Sequence, residues 1–279
     1  MKLLACSVLV GVAAVAGGRV GSGVAAAPAP TLRVCADPDN LPFTNARGEG
    51  FENRLAELLA SDLGTPVQYT WWAQRRGFLR ETLAAGQCDV VLGLPTAVEA
   101  AWTTRAYYRS SYMFVDRRDR RRTIRSLDDP RLRRLRIAVP LVSDDGANAP
   151  PAHALSRRGL AANLVRFAVL GDGAPPSPGQ RLVAAVADGT VDIGVAWGPS
   201  AGFFAARQAV PLRLTPLAPR VDARGIPLAF DIGMATRRGD TARHAAIEAF
   251  LIRRRAEIGR VLAAFHVPRV DTPAAEAGS

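Results

Sequence analysis

The chain has 279 residues, 48% of them hydrophobic and 22% charged, with a formal net charge of +11. This is a globular composition, able to bury one large core or two medium ones. Every basic residue except Lys2 is arginine. The arginines are scattered, and the single cluster (Arg117, Arg118, Arg120, Arg121, Arg122) is interleaved with Asp rather than aromatic side chains. That pattern argues against nucleic acid and leaves two readings of the charge: steering toward an acidic partner, or GC-rich codon usage.

The first residues read as an export signal, residues 1–26. Lys2 supplies the positive start, residues 3–16 form an apolar run too short to span a bilayer, and small residues follow. Val24-Ala25-Ala26 is one cleavage triplet and Ala14-Val15-Ala16 the competing one. No later stretch is long and apolar enough to cross a membrane, so a soluble exported protein is expected.

A β-type run at 32–36 stops at Asp37-Pro38, and residues 40–43 make a Pro-bearing loop. After a polar turn at 45–50, Phe51, Leu55, Leu58 and Leu59 recur at helical spacing, closed by Asp62 and Gly64. Residues 67–72 form a strand, Phe78, Leu79 and Leu83 the inner face of a helix ended by Gly86, and residues 89–93 an apolar strand of the parallel-sheet kind. The order β-α-β-α-β is a doubly wound half-domain, whose ligands lie at strand carboxyl ends. Residues 37–43 and 94–96 both stand there. An apolar strand at 113–115 precedes an Arg/Asp-rich segment, 116–122, expected to be an exposed crossover.

A second α/β unit begins at 135–140, followed by the polar loop 143–148 and a helix opened by Pro150-Pro151. Strands at 164–169 and 191–197 flank a helix carrying Leu182, Val183 and Val186. A Pro-punctuated segment, 212–219, suits a return crossover; a last strand at 230–235 and a long helix at 241–265 follow. Two such units joined by two crossovers make a bilobal hinge protein. Its parts are residues 31–116 and 218–270 for lobe 1, 121–213 for lobe 2, and a frayed tail at 271–279. Removing the signal leaves Cys35 and Cys88. They are either a disulfide or two small buried hydrophobes, since the ends of parallel neighbours can lie too far apart to bond.

Several stretches together carry a resemblance: CADPDNLPF (35–43), GEGFENRLAELLA (48–60), YTWWAQRRGF (69–78), CDVVLG (88–93), SDDGANAPPAHAL (143–155), VDIGVAWGP (191–199) and VPRV (267–270). Over about residues 31–270 the chain resembles the type II periplasmic solute-binding proteins, and within them the quinoprotein-dehydrogenase-associated binding proteins of the MoxJ and XoxJ type. The resemblance implies an α/β fold of two doubly wound lobes joined by two crossover strands. It also implies a periplasmic accessory, with no cofactor of its own, for a pyrroloquinoline-quinone-dependent alcohol (methanol) dehydrogenase, lanthanide- or calcium-dependent. The rival expectation is a transport protein for a small aromatic or anionic ligand.

Departures from the wider family bear on the ligand. Amino-acid-binding relatives carry an Arg after the Thr-Pro that follows their third strand, to grip a carboxylate; here Pro95-Thr96-Ala97-Val98-Glu99 has none. They also end the late second-lobe strand on an Asp that holds the amino group; here Trp197 stands in that place. An amino acid would lose its partners at both ends.

The expected cleft or partner-binding set is therefore Asp37, Asn40, Phe43, Trp72, Arg75, Arg76, Pro95, Thr96, Tyr107, Asp144, Asp145, Asn148, Trp197 and Pro199. Trp72 and Trp197, where strands run into loops, are the expected cleft aromatics, whereas Trp71 and Tyr108 suit a core equally well. Asp144, Asp145 and Asn148 have the chemistry of a hard-cation site, but such loops are more often turns and caps. The three histidines have no ligand spacing, and no nucleophile elbow or Cys-x-x-Cys is present, so no metal site and no catalysis are expected.

Overall fold

In the computed structural model, which describes residues 31–96, 98–120, 123–141, 149–168, 176–223 and 225–270, the first strand is the pivot of the first half. The signal at 1–26, the loop with Asp144, Asp145 and Asn148, and the tail at 271–279 lie outside the described residues. Strand β1 (Leu32–Ala36) is followed by a small hairpin, β2 (Asp39–Asn40) and β3 (Thr44–Asn45), and by helix α1 (Phe51–Leu63). The α1 start is held by Asn53, whose side-chain oxygen accepts from the backbone N–H groups of Gly50 and Asn45 at 3.0 and 3.1 Å. Gly64, in the left-handed conformation, ends it. Phe51, Leu55 and Leu59 recur one turn apart and are fully buried.

Strand β4 (Val67–Trp71) runs parallel to β1, pairing Leu32 with Val67 through Ala36 with Trp71. On its other side β1 meets the chain at 89–90: Asp89 and Val90 donate to the Arg33 carbonyl, and Cys35 donates to the Val90 carbonyl at 3.0 Å. Those two residues are spent on β1, so β5 (Val91–Pro95) starts two residues later than the apolar pattern suggests. The same close approach brings Cys35 and Cys88 to a Cα separation of 5.5 Å, and they form a disulfide. The helix expected before Gly86 is short, residues 78–84, its Arg80–Ala84 part widened into one broad turn, with Phe78 and Leu83 buried beside the two cysteines.

After β6 (Trp102–Thr103) comes strand β7 (Tyr108–Arg117), ten residues long. Its first part, through Ser111, pairs with β12 (Ala229–Thr236), which pairs in turn with β5. From Tyr112 onward it pairs with β10 (Ile193–Trp197), and from Met113 also with β11 (Leu212–Pro216). The chain thus changes sheet inside a strand, at Ser111–Tyr112. The exposed crossover expected to begin at 116 is corrected accordingly: Asp116 and Arg117 belong to β7, and Asp116 is 2% exposed. Its charge is tolerated there because Arg213 of β11 pairs with it at 3.2 Å.

In the second half, β8 (Ile137–Leu141) lies between parallel β9 (Leu164–Ala168) and β10. Helix α2 (Pro150–Leu155) covers one face; α3 (Pro178–Ala187) and α4 (Gly198–Ala205) cover the other. Leu217 and Leu228, after β11, pack into the α2-side core, so the return segment stays with this half until β12. The C-terminal helix is divided at Arg254 into α5 (Thr241–Arg253) and α6 (Arg255–Ala264), and Phe250, Ile258 and Leu262 pack on α1 and β1. No described helix is long and apolar enough to cross a membrane.

Candidate functional site

The β2–β3 hairpin is built around Asp37. Its carboxylate accepts from the backbone N–H groups of Asp39 at 2.8 Å and Gln74 at 2.7 Å. Its carbonyl accepts from Thr44 Oγ1 at 2.7 Å. Asn40 donates from its side-chain amide to Gln74 Oε1 at 3.0 Å. These bonds fix the loop after β1 against the loop after β4, and its tip leans across to the second half, where Leu41 packs against the α3–α4 core.

Between the halves lie two adjoining cavities, of about 250 and 280 Å³, which share Asn40, Phe43, Gln74, Tyr112 and Trp197. The first extends toward the second half, to Pro140, Leu182 and Ser200. The second extends toward the first half, to Glu52, Gly93, Pro95, Tyr108, Phe230 and Ile232. Trp197 is the hinge of the aromatic lining. It sits opposite Tyr112 across the β10–β7 pair, with ring centroids 5.3 Å apart, and meets Phe230 edge-on at 5.7 Å. Burial raises the Tyr108 and Tyr112 phenols above their ordinary range, so both stay neutral hydroxyls. The Glu52 carboxyl is pushed up to about 8 by burial.

Of the residues expected at the site, Asp37, Asn40, Phe43, Pro95 and Trp197 line these cavities. Tyr107 does not: its hydroxyl donates to the Leu92 carbonyl at 3.0 Å, and its ring joins the core. The alternation along β7 sends Tyr108 to the cleft in its place. Trp72 lines neither cavity, because β4 ends at Trp71 and leaves Trp72 47% exposed on the outer surface. Arg75 and Arg76 are exposed in the same loop and line neither cavity. Thr96 is held by backbone bonding to Asp231, and Pro199 is buried in the first turn of α4, a helix the Gly-Pro pair disguised as a loop.

Sequence reasoning missed Gln74, Tyr112, Phe230 and Glu52. Gln74 shows no signal; Tyr112 and Phe230 are ordinary strand aromatics until the pairing of β7 with β10 and β12 is known. Glu52 sits where a helix start favours an acid, which hides it among capping residues. Among the described residues no group of three or more His, Cys, Asp or Glu could hold a metal ion.

No protein-family model matches the chain. It is 32% identical over 244 residues to protein MoxJ of Methylorubrum extorquens strain AM1, covering 85% of this chain and 81% of that one. The crystal structure of periplasmic binding protein XoxJ from Methylobacterium extorquens AM1 superposes with a TM-score of 0.71 at 30% identity, covering 86% of this chain and 100% of that one. An ancestral cationic amino acid solute-binding protein superposes with a TM-score of 0.65 at 21% identity, over 85% of this chain and 95% of that one, a likeness of fold alone.

Proposed function

The chain belongs to the MoxJ family of periplasmic binding proteins, with their type II fold, and from that premise we propose that it is a non-enzymatic periplasmic accessory protein that engages a pyrroloquinoline-quinone-dependent alcohol dehydrogenase and assists its maturation or activation. The observation that carries this reading is Trp197. It stands at the end of β10, in both cavities, where an amino-acid carrier would place an acid. A cleft floored by Trp197, Tyr112 and Phe230 suits a protruding side chain of a partner, since Trp and Tyr dominate such contacts. Trp72, exposed in the same loop as Arg75 and Arg76 and outside the cavities, offers a second aromatic contact to such a partner. The net charge of +11 would speed encounter with an acidic partner.

Immobilised mature protein should retain a quinoprotein dehydrogenase from periplasmic extract of alcohol-grown cells at low salt, and less of it at moderate salt. Recovery of no dehydrogenase at either salt would defeat the reading. The rival, delivery of a small solute to a transporter, is favoured by the two joined cavities. It predicts a ligand-dependent rise in melting temperature in a solute screen, with no dehydrogenase recovered.

A further inference from the structure

Glu52 is the buried carboxyl of the cleft that neither reading uses. It is 9% exposed, lines the 280 Å³ cavity, and its carboxyl has no hydrogen bond or ion pair with any described residue. The carboxyl lies directly against the glycine of β5: a Cβ on Gly93 would stand 2.0 Å from Glu52 Oε1. The rings of Phe43, Tyr108, Tyr112, Trp197 and Phe230 line the same cavity. Phe43 and Tyr108 are locked in turn by Phe51, at centroid distances of 5.4 and 6.2 Å.

The charged and titratable neighbours bring no counter-charge. Tyr69 of β4, Tyr107 just before β7 and Tyr108 at its start are the groups whose titration feels Glu52, and all three are neutral phenols. Asp37, at the mouth of the neighbouring cavity, is an acid bonded to backbone N–H groups. Among the described residues no arginine lines either cavity. An ionised carboxylate in such a place is costly until a cation reaches it, and the faces of electron-rich rings attract the same cation. Once ionised, Glu52 would repel an anion, and a neutral apolar guest would leave the carboxylate without a counter-charge. We propose that this cavity is a binding site for a small organic ammonium ion, with Glu52 as the counter-charge and the Trp197, Tyr108 and Phe230 rings as the walls around the cationic nitrogen. The inference stands on the cavity itself and does not depend on which macromolecule the protein serves.

The test is calorimetric titration of the full mature chain with n-butylammonium and tetramethylammonium chlorides, and with neutral n-pentanol as the shape control. Both ammonium ions should bind and pentanol should not at the same concentration. Because Glu52 holds a proton at pH 7, binding should release one, seen as a heat that depends on the buffer's ionisation enthalpy, and affinity should climb as pH rises toward 8. Glu52→Gln should weaken ammonium binding at least about tenfold. Phe230→Leu, which keeps the apolar volume and removes a ring, should weaken it about threefold and carries the test if Glu52→Gln does not fold. Absence of ammonium binding, equal binding of pentanol, or unchanged affinity in either folded variant would overturn the proposal.

Discussion

Glu52 also controls how stability varies with pH. Its carboxyl titrates near 8 in the folded protein against 4.5 for the free group. Between those values the native state holds a proton that the unfolded chain has released. The contribution is therefore full below about pH 4.5, falls as pH rises by about 1.4 kcal/mol per unit, and is lost above 8. Urea unfolding should show stability falling from pH 5.5 to 7.5 in the wild type, and a flatter profile in Glu52→Gln; an undiminished slope in the variant would place the effect elsewhere. Nothing in the residue pattern foretells this, because an acid in the first turn of a helix is what the helix dipole favours. Trp197 was legible for the opposite reason: a large aromatic ending an apolar strand has no local structural purpose.

Among the elements, the join between β1 and the segment entering β5 is the most constrained. Arg33 donates to Asp89 from its Nε and a terminal nitrogen, at 3.2 and 2.7 Å, and the Cys35–Cys88 disulfide closes a loop with a sequence separation of 53. Chain entropy assigns such a bridge about 4 kcal/mol, so reduction, or the Cys35→Ala and Cys88→Ala pair, should lower unfolding free energy by about 3–4 kcal/mol in matched urea titrations. A change below 1 kcal/mol would mean that the backbone pairing alone holds the join. Periodicity predicted β1, α1 and β4 well because each carries its own apolar pattern. It placed β5 two residues early, since nothing local says that Asp89 and Val90 serve β1. It missed α4 because Gly198-Pro199 reads as a stop, although proline in the first turn is compatible with a helix.

Across the whole molecule, the halves are tied by more than strand crossings. Phe265, just after α6, stacks on Phe203 of α4 at 5.7 Å and meets Phe51 of α1 at 6.0 Å. A Cβ on Gly202 would lie 1.9 Å from the His266 carbonyl oxygen, so α4 and the C-terminal turn touch backbone to backbone. With Leu41 on the α3–α4 core, these contacts restrain opening. Phe265→Ala should increase the radius of gyration in solution scattering and cost about 3 kcal/mol of stability; an unchanged radius would mean that β7 alone sets the angle. Such long-range contacts join residues over 60 positions apart and leave no periodic trace in the chain. The central claim, that this cleft receives a dehydrogenase, is tested most directly by measuring the affinity of the purified protein for the purified quinoprotein dehydrogenase of its own organism, wild type against Trp197→Ala. The account predicts measurable binding by the wild type and a loss of about 30-fold or more in the variant, the size expected of a central aromatic anchor. Equal affinity in the two proteins would contradict it.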